Sequence, residues 1–175
     1  MKDFKSTLHY QKIGHQNRRN EKKGMNIFVL DHNIERCARY HCDQHVVKMI
    51  LEYAQILCTS SNEHGLLTPY RSTHVKHPCV LWAGKSIQNW CWLRELARAL
   101  HREYHYRYGK EKDHQSYAVI QSLKEPDLPN IGLTEHPQAM PKKYKVPHRP
   151  VQAYRNFYIG AKSAFATWTR RKPPL

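Results

Sequence analysis

His45-Val-Val-Lys-Met-Ile-Leu-Glu-Tyr-Ala-Gln-Ile56 sets the fold class. Val46, Met49, Tyr53 and Ile56 recur at i, i+3, i+7 and i+10, the spacing that lays one apolar stripe along an α-helix. Upstream, Asp31-His-Asn33 supplies two good N-caps, so the pattern predicts one helix from about Ile34 to Cys58. A polar loop from Thr59 to about Lys76, holding Gly65 and Pro69, should end it. A second long helix is predicted from about Ser86 to Tyr108, where Trp90, Leu93, Ala97, Leu100 and Tyr104 repeat the core spacing and Gly109 is the stop signal. A shorter helix should cover His114 to Lys124. The proline-dense loop from Glu125 to Pro150 is too long to be a mere connector and is expected to bind something. Pro150 suits the first turn of a third long helix, with Tyr154, Phe157, Tyr158, Ala161, Phe165 and Trp168 on one face. The expected architecture is mainly α, a compact single-domain bundle of three long helices plus short helices and long loops.

With 175 residues the chain has room for one ordinary core. Residues 1–24 carry seven Lys or Arg and two acids with no helical period, and read as a flexible basic arm. The folded part, residues 25–175, should begin at Met25, which opens a strand-like Asn26-Ile-Phe-Val-Leu30 run and is an alternative translation start. Twenty-nine Lys and Arg against fourteen acids give a net charge of +15, and such self-repulsion points to a polyanionic partner, nucleic acid first. No apolar run approaches the roughly 18 residues of a membrane span, and no signal peptide opens the chain, so a soluble, cytoplasmic, monomeric protein is expected. Five cysteines without a CxxC pair read as reduced thiols filling the core.

Chemistry-bearing residues collect on the first helix. His41, His45, Lys48, Glu52 and Gln55 share a second, polar stripe, read either as a solvated face or as a pocket wall. In a pocket, Lys48 and Glu52 would be an amine nucleophile and an acid; on a surface they are an ordinary i,i+4 ion pair. Arg94, Arg98 and Arg102 form a cationic row that either tracks phosphates or is neutralised by Glu95 and Glu103. Further cations lie at Lys142, Lys143, Lys145, Arg149, Arg170 and Arg171, with Tyr144 and Trp168 as stacking platforms for unstacked bases; for Trp168, core packing is the competing reading. A metal-dependent hydrolase or nuclease is a further alternative, with His41 and His45 completed by His74, His77 or Glu52, although position 42 is Cys where an HExxH helix has Glu.

Cys42-Asp43-Gln44-His45, followed by Glu52 seven residues after the histidine, resembles the phage-type pyrimidine-dimer DNA glycosylases with abasic-site lyase activity, the endonuclease V type. Leu93-Arg94, Leu100, Glu103 and Arg107 near Gly109 are similar to that family's second helical pattern, and the aromatic, basic C-terminus also looks similar. The Asn26-Ile-Phe and His-Val-Val-Lys-Met segments also resemble small phage proteins with no assigned chemistry. The resemblance implies a helical enzyme that binds damaged duplex DNA, flips a nucleotide and attacks the sugar C1′ with an amine, without a cofactor. On this sequence Glu52 inherits the catalytic glutamate. The family's amine is an α-amino group exposed by removal of the initiator Met; here the implied candidates are the α-amine of Met25 and the side chain of Lys48. A basic nucleic-acid-binding protein without catalysis is the alternative.

Overall fold

The computed structural model describes residues 25–174. The arm expected over 1–24 lies outside the described residues. The chain from Met25 is mainly helical around one core, and among the described residues no strand forms. No described helix is long and apolar enough to cross a membrane.

Two long helices, α2 (Asp43–Glu63) and α4 (Ile87–Tyr108), pack against each other. They bury Met49, Tyr53 and Ile56 from one side, and Trp90, Leu93 and Leu100 from the other. Helices α1 (Ile34–Tyr40), α3 (Pro78–Ala83) and α5 (Tyr117–Ser122) pack on this pair. The prediction for α4 holds nearly to the residue because its signals are local. Ser86 Oγ accepts from the Asn89 amide at 3.1 Å, and Gly109 takes φ 56, a left-handed C-terminal conformation that glycine adopts at little cost.

Elsewhere the sequence expectation is corrected. The helix predicted over 34–58 breaks at His41-Cys42, whose backbone is extended, and restarts at Asp43. The cause is distant in sequence: the Asp43 amide donates to Thr167 O at 2.8 Å, and the Asp43 carboxylate accepts from the Thr169 amide and from both threonine hydroxyls, Thr167 and Thr169. At its far end α2 runs on through Thr59, Ser60 and Ser61, which are buried, and Ser61 Oγ accepts from the Trp90 indole at 3.1 Å. Helix α3 lies between the predicted loop and the predicted second helix, in a stretch for which no element was expected, with Pro78 in its first turn and His77 Nδ1 accepting from the Cys79 amide. The helix predicted over 114–124 is the shorter α5.

The strand-like run Met25–Leu30 is buried, yet it forms no strand among the described residues. Its amides find side chains instead: Ile27 donates to Asn26 Oδ1, Phe28 to Tyr53 Oη and Leu30 to Cys37 Sγ. The third predicted long helix is α6 (Pro150–Phe157), continued by a π turn over Tyr158–Lys162. Within that turn the Tyr144 ring lies so close to Gly160 that a Cβ there would fall 2.5 Å from the ring edge. Phe165 and Trp168 therefore leave the expected helical face, and the Trp168 indole donates to Tyr40 O at 3.0 Å.

Burial of His41 makes a stability prediction. Its Nδ1 hydrogen-bonds Cys37 O at 2.7 Å and its Nε2 hydrogen-bonds Tyr53 Oη at 3.1 Å, inside a fully buried site. Burial pushes its pKa from 6.5 down to about 4, so the folded ring stays neutral where the unfolded ring takes up a proton. This contribution is fully present above pH 6.5 and is lost as pH falls toward about 4. It amounts to on the order of 3 kcal/mol. Thermal unfolding across that range should show the loss, with a shallower slope in His41→Gln; equal slopes would remove His41 as the cause.

Candidate active site

Phe28 and α2 form one wall of a cleft of about 730 Å³, and the loop around Gln138–Lys145 and the π turn form the other. The volume falls in the range of about 300–1,000 Å³ usual for ligand sites. Among the described residues, four lysines, Lys48, Lys143, Lys145 and Lys162, line it against one carboxylate, Glu52. The long proline-rich loop thus supplies part of the wall, held by a reciprocal pair of hydrogen bonds between Gln138 and Val146.

Glu52 lies where α2 meets the buried run that begins at Met25. Its side chain is only 12% exposed, and its two oxygens face two different nitrogens. Oε1 is 3.1 Å from Lys48 Nζ, and Oε2 accepts from the Asn26 backbone nitrogen at 3.3 Å. Lys48 is 61% exposed, so its ammonium reaches the cleft from the solvent side.

Asn26 is held from behind. Its Nδ2 donates to Ala139 O at 2.9 Å, and its Oδ1 accepts from Tyr154 Oη at 2.8 Å. Both side-chain polar atoms of Asn26 are thus bound by segments distant in sequence, which fixes where its main-chain nitrogen sits.

His45 lines the cleft one turn from Lys48, stacked on Phe28 with ring centroids 4.4 Å apart. Its Nδ1 hydrogen-bonds the Tyr158 hydroxyl. Burial, reinforced by the charges of Lys162 and Lys48, lowers its pKa to about 3, so the ring is neutral near pH 7. With this imidazole neutral, the lysines supply the positive charge of the cleft among the described residues.

The structure brings Met25, His45, Lys48, Glu52, Lys143, Tyr144 and Lys145 to this cleft. It does not bring His41, which belongs to the end of α1; the helix break abolishes the i,i+4 relation to His45. Both His41 nitrogens are engaged, leaving no lone pair for the metal pairing considered from spacing. Lys142 lies beside the cleft in a 3-10 turn, and Arg149 is exposed at the start of α6; neither lines it.

The arginine row on α4 is also placed elsewhere. Arg94 pairs with Glu125 at 2.6 Å, Arg98 with Glu95 at 2.7 Å, and Arg102 with Glu35. Arg171 holds Glu103 by two bonds and stacks over Tyr106, while Arg170 donates to Tyr106 O. Trp168 packs against the core, the competing reading of that residue.

Asn26, Phe28 and Lys162 are among the cleft residues that sequence reasoning missed, and Tyr158, which holds His45, was missed as well. Only Asn26 had a signal, its place immediately after Met25 in the candidate start.

Residues 25–116 match the family model described as pyrimidine dimer DNA glycosylase. No curated protein and no solved structure matches the chain. The match opens at Met25 and includes Glu52 and all of α1 to α4, whereas the Gln138–Lys145 wall and α6 lie beyond it. Over these residues the chain belongs to the pyrimidine dimer DNA glycosylase family.

Proposed function

We propose that the protein excises a base at pyrimidine dimers in DNA and then cleaves the strand at the abasic product, using an amine next to Glu52. The observation that carries this reading is the placement of Glu52, nearly buried in a lysine-lined cleft with a nitrogen within 3.3 Å of each of its oxygens. In the first step the amine lone pair attacks the sugar C1′. The C1′–N bond breaks, the base leaves with that electron pair, and Glu52 accepts the proton released by the amine. The nitrogen lone pair then breaks the C1′–O4′ bond while Glu52 returns its proton to O4′, which opens the sugar ring and leaves an iminium between nitrogen and C1′. Loss of a C2′ proton then expels the 3′ phosphate and breaks the strand.

Two amines fit this chemistry. Lys48 Nζ is already paired with Glu52, and in the chain as written the nitrogen of Asn26 is a peptide amide, which cannot attack. In a chain starting at Met25, the terminal amine would lie at the cleft, and removal of Met25 would put the Asn26 α-amine on Glu52 itself. Borohydride reduction during turnover on dimer-containing or abasic duplex DNA should fix a covalent adduct. Peptide mapping then distinguishes a Lys48 peptide from an N-terminal one. An adduct in neither the full chain nor a chain beginning at Met25 discards the lyase reading.

The same reading assigns the cleft lysines to the DNA phosphates. Replacing Lys143 and Lys145 together with Ala should weaken DNA binding and flatten its log-log salt dependence by about 0.9 for each phosphate no longer neutralised. Arg98→Ala, whose arginine is already paired with Glu95, should change the slope less. Filter-binding titrations across salt concentrations read both, and an unchanged slope in the lysine pair would remove this wall from the DNA interface.

A further inference from the structure

The far end of α4 carries a second cluster that base excision leaves unused. His101 and His105 stand one turn apart, and the chain beyond Gly109 folds back to bring Asp113 against them. His101 Nε2 and His105 Nε2 are 3.1 Å apart, while Asp113 Oδ1 lies 3.2 Å from the first and 2.9 Å from the second. Donor atoms bound to one tetrahedral Zn2+ at about 2.0–2.1 Å stand about 3.3 Å from each other. The three atoms therefore already converge on one ion position.

The surrounding bonds orient the rings for that role. His105 Nδ1 lies 2.5 Å from Lys110 O, which can only accept, so Nδ1 carries the hydrogen and the neutral ring turns its Nε2 lone pair toward the cluster. His101 is nearly buried, and its ring stacks on Tyr117 with centroids 3.5 Å apart and planes 11° from parallel. Asp113 is 60% exposed, leaving a solvent-facing side for a water as fourth ligand. None of the three residues lines the Glu52 cleft.

We infer that His101, His105 and Asp113 form a Zn2+ site that fastens the turn between α4 and α5. Two imidazoles with one carboxylate suit a borderline divalent cation, whereas Mg2+ and Ca2+ favour all-oxygen sets. The turn it would hold contains the exposed Lys110 and Lys112 and ends at Ser116, whose hydroxyl accepts from Tyr70 Oη at 3.2 Å. The ion is structural, since the cluster is apart from the cleft proposed for catalysis.

The test uses the full chain without an affinity tag, stripped with a chelator and then dialysed against Zn2+. One equivalent should bind, and trypsin cleavage after Lys110 and Lys112 should slow. Asp113→Asn and His105→Gln alter exposed or half-exposed side chains, and circular dichroism checks that both fold. Each should weaken Zn2+ binding by more than the roughly 10–100-fold that even outer partners of a metal contribute. The chain has 13 histidines, so Zn2+ retained equally by both variants would place the ion elsewhere and overturn the inference. Failure of the parent to hold one equivalent would overturn it as well, and binding without protection of the turn would refute the fastening role.

Discussion

Glu52→Gln should lower single-turnover excision on dimer-containing duplex DNA by about 10²–10⁴-fold, the range contributed by a positioned general acid or base. The substitution is close to isosteric, and the amide oxygen can still accept from the Asn26 nitrogen, so the cleft keeps its shape. What is lost is the ability to take a proton from the attacking amine and the negative charge that faces Lys48 at 3.1 Å. DNA affinity should hold or rise, because a carboxylate facing the cleft lysines is removed. Rate and binding therefore separate in this variant, which a folding defect would not produce. A rate within about tenfold of the parent, below the contribution of a general base, would mean that Glu52 is not the proton acceptor.

How far such a site can be read from sequence depends on whether its signals are local. Glu52 and Lys48 were legible because helical spacing alone puts them on one face, and the resemblance singled out the glutamate. Asn26 carried no comparable signal, since its approach to Glu52 is created by Tyr154 and Ala139 from segments more than a hundred residues away. Helix α4 was read nearly to the residue from its serine cap, core period and terminal glycine. The break at His41-Cys42 was not, because neither glycine nor proline marks it and the bonds that stabilise it come from Thr167 and Thr169. The arginine row was visible as charge, but two of its three carboxylate partners, Glu125 and Glu35, come from other segments that no spacing rule connects to α4. Phe28 and Lys162 reach the cleft through a run without regular secondary structure and a π turn, two conformations with weak sequence signatures.

Arg107→Met should cost about 3–5 kcal/mol of folding stability, the penalty for removing one partner from a buried ion network. The Arg107 side chain has no exposure and ties three helices together: it donates to Glu103 on its own helix, to Asp43 at the start of α2 and to Arg39 O in α1. Arg171 grips the same Glu103, and the threonines grip the same Asp43, so the network also clamps the C-terminal segment. Burial alone would raise the pKa of both carboxylates. Hydrogen bonds from Thr169, Thr167 and Arg107 outweigh it at Asp43, and those from Arg171 and Arg107 outweigh it at Glu103, so both stay below their ordinary values of 3.8 and 4.5. Because the folded values are depressed, this stabilisation is present above those ordinary values and is lost as pH falls through the folded ones. Chemical denaturation at neutral pH reads the main effect, and a loss below about 1 kcal/mol would give the network no more than the strength of an exposed surface pair. Adding Glu103→Gln to Arg107→Met separates charge from packing: the second change removes a carboxylate that the first has partly stranded, so the double variant should lose less than the two single losses combined. Strict additivity would show instead that Arg107 acts through its bond to Arg39 O and the fit of its buried stem, with its charge contributing little.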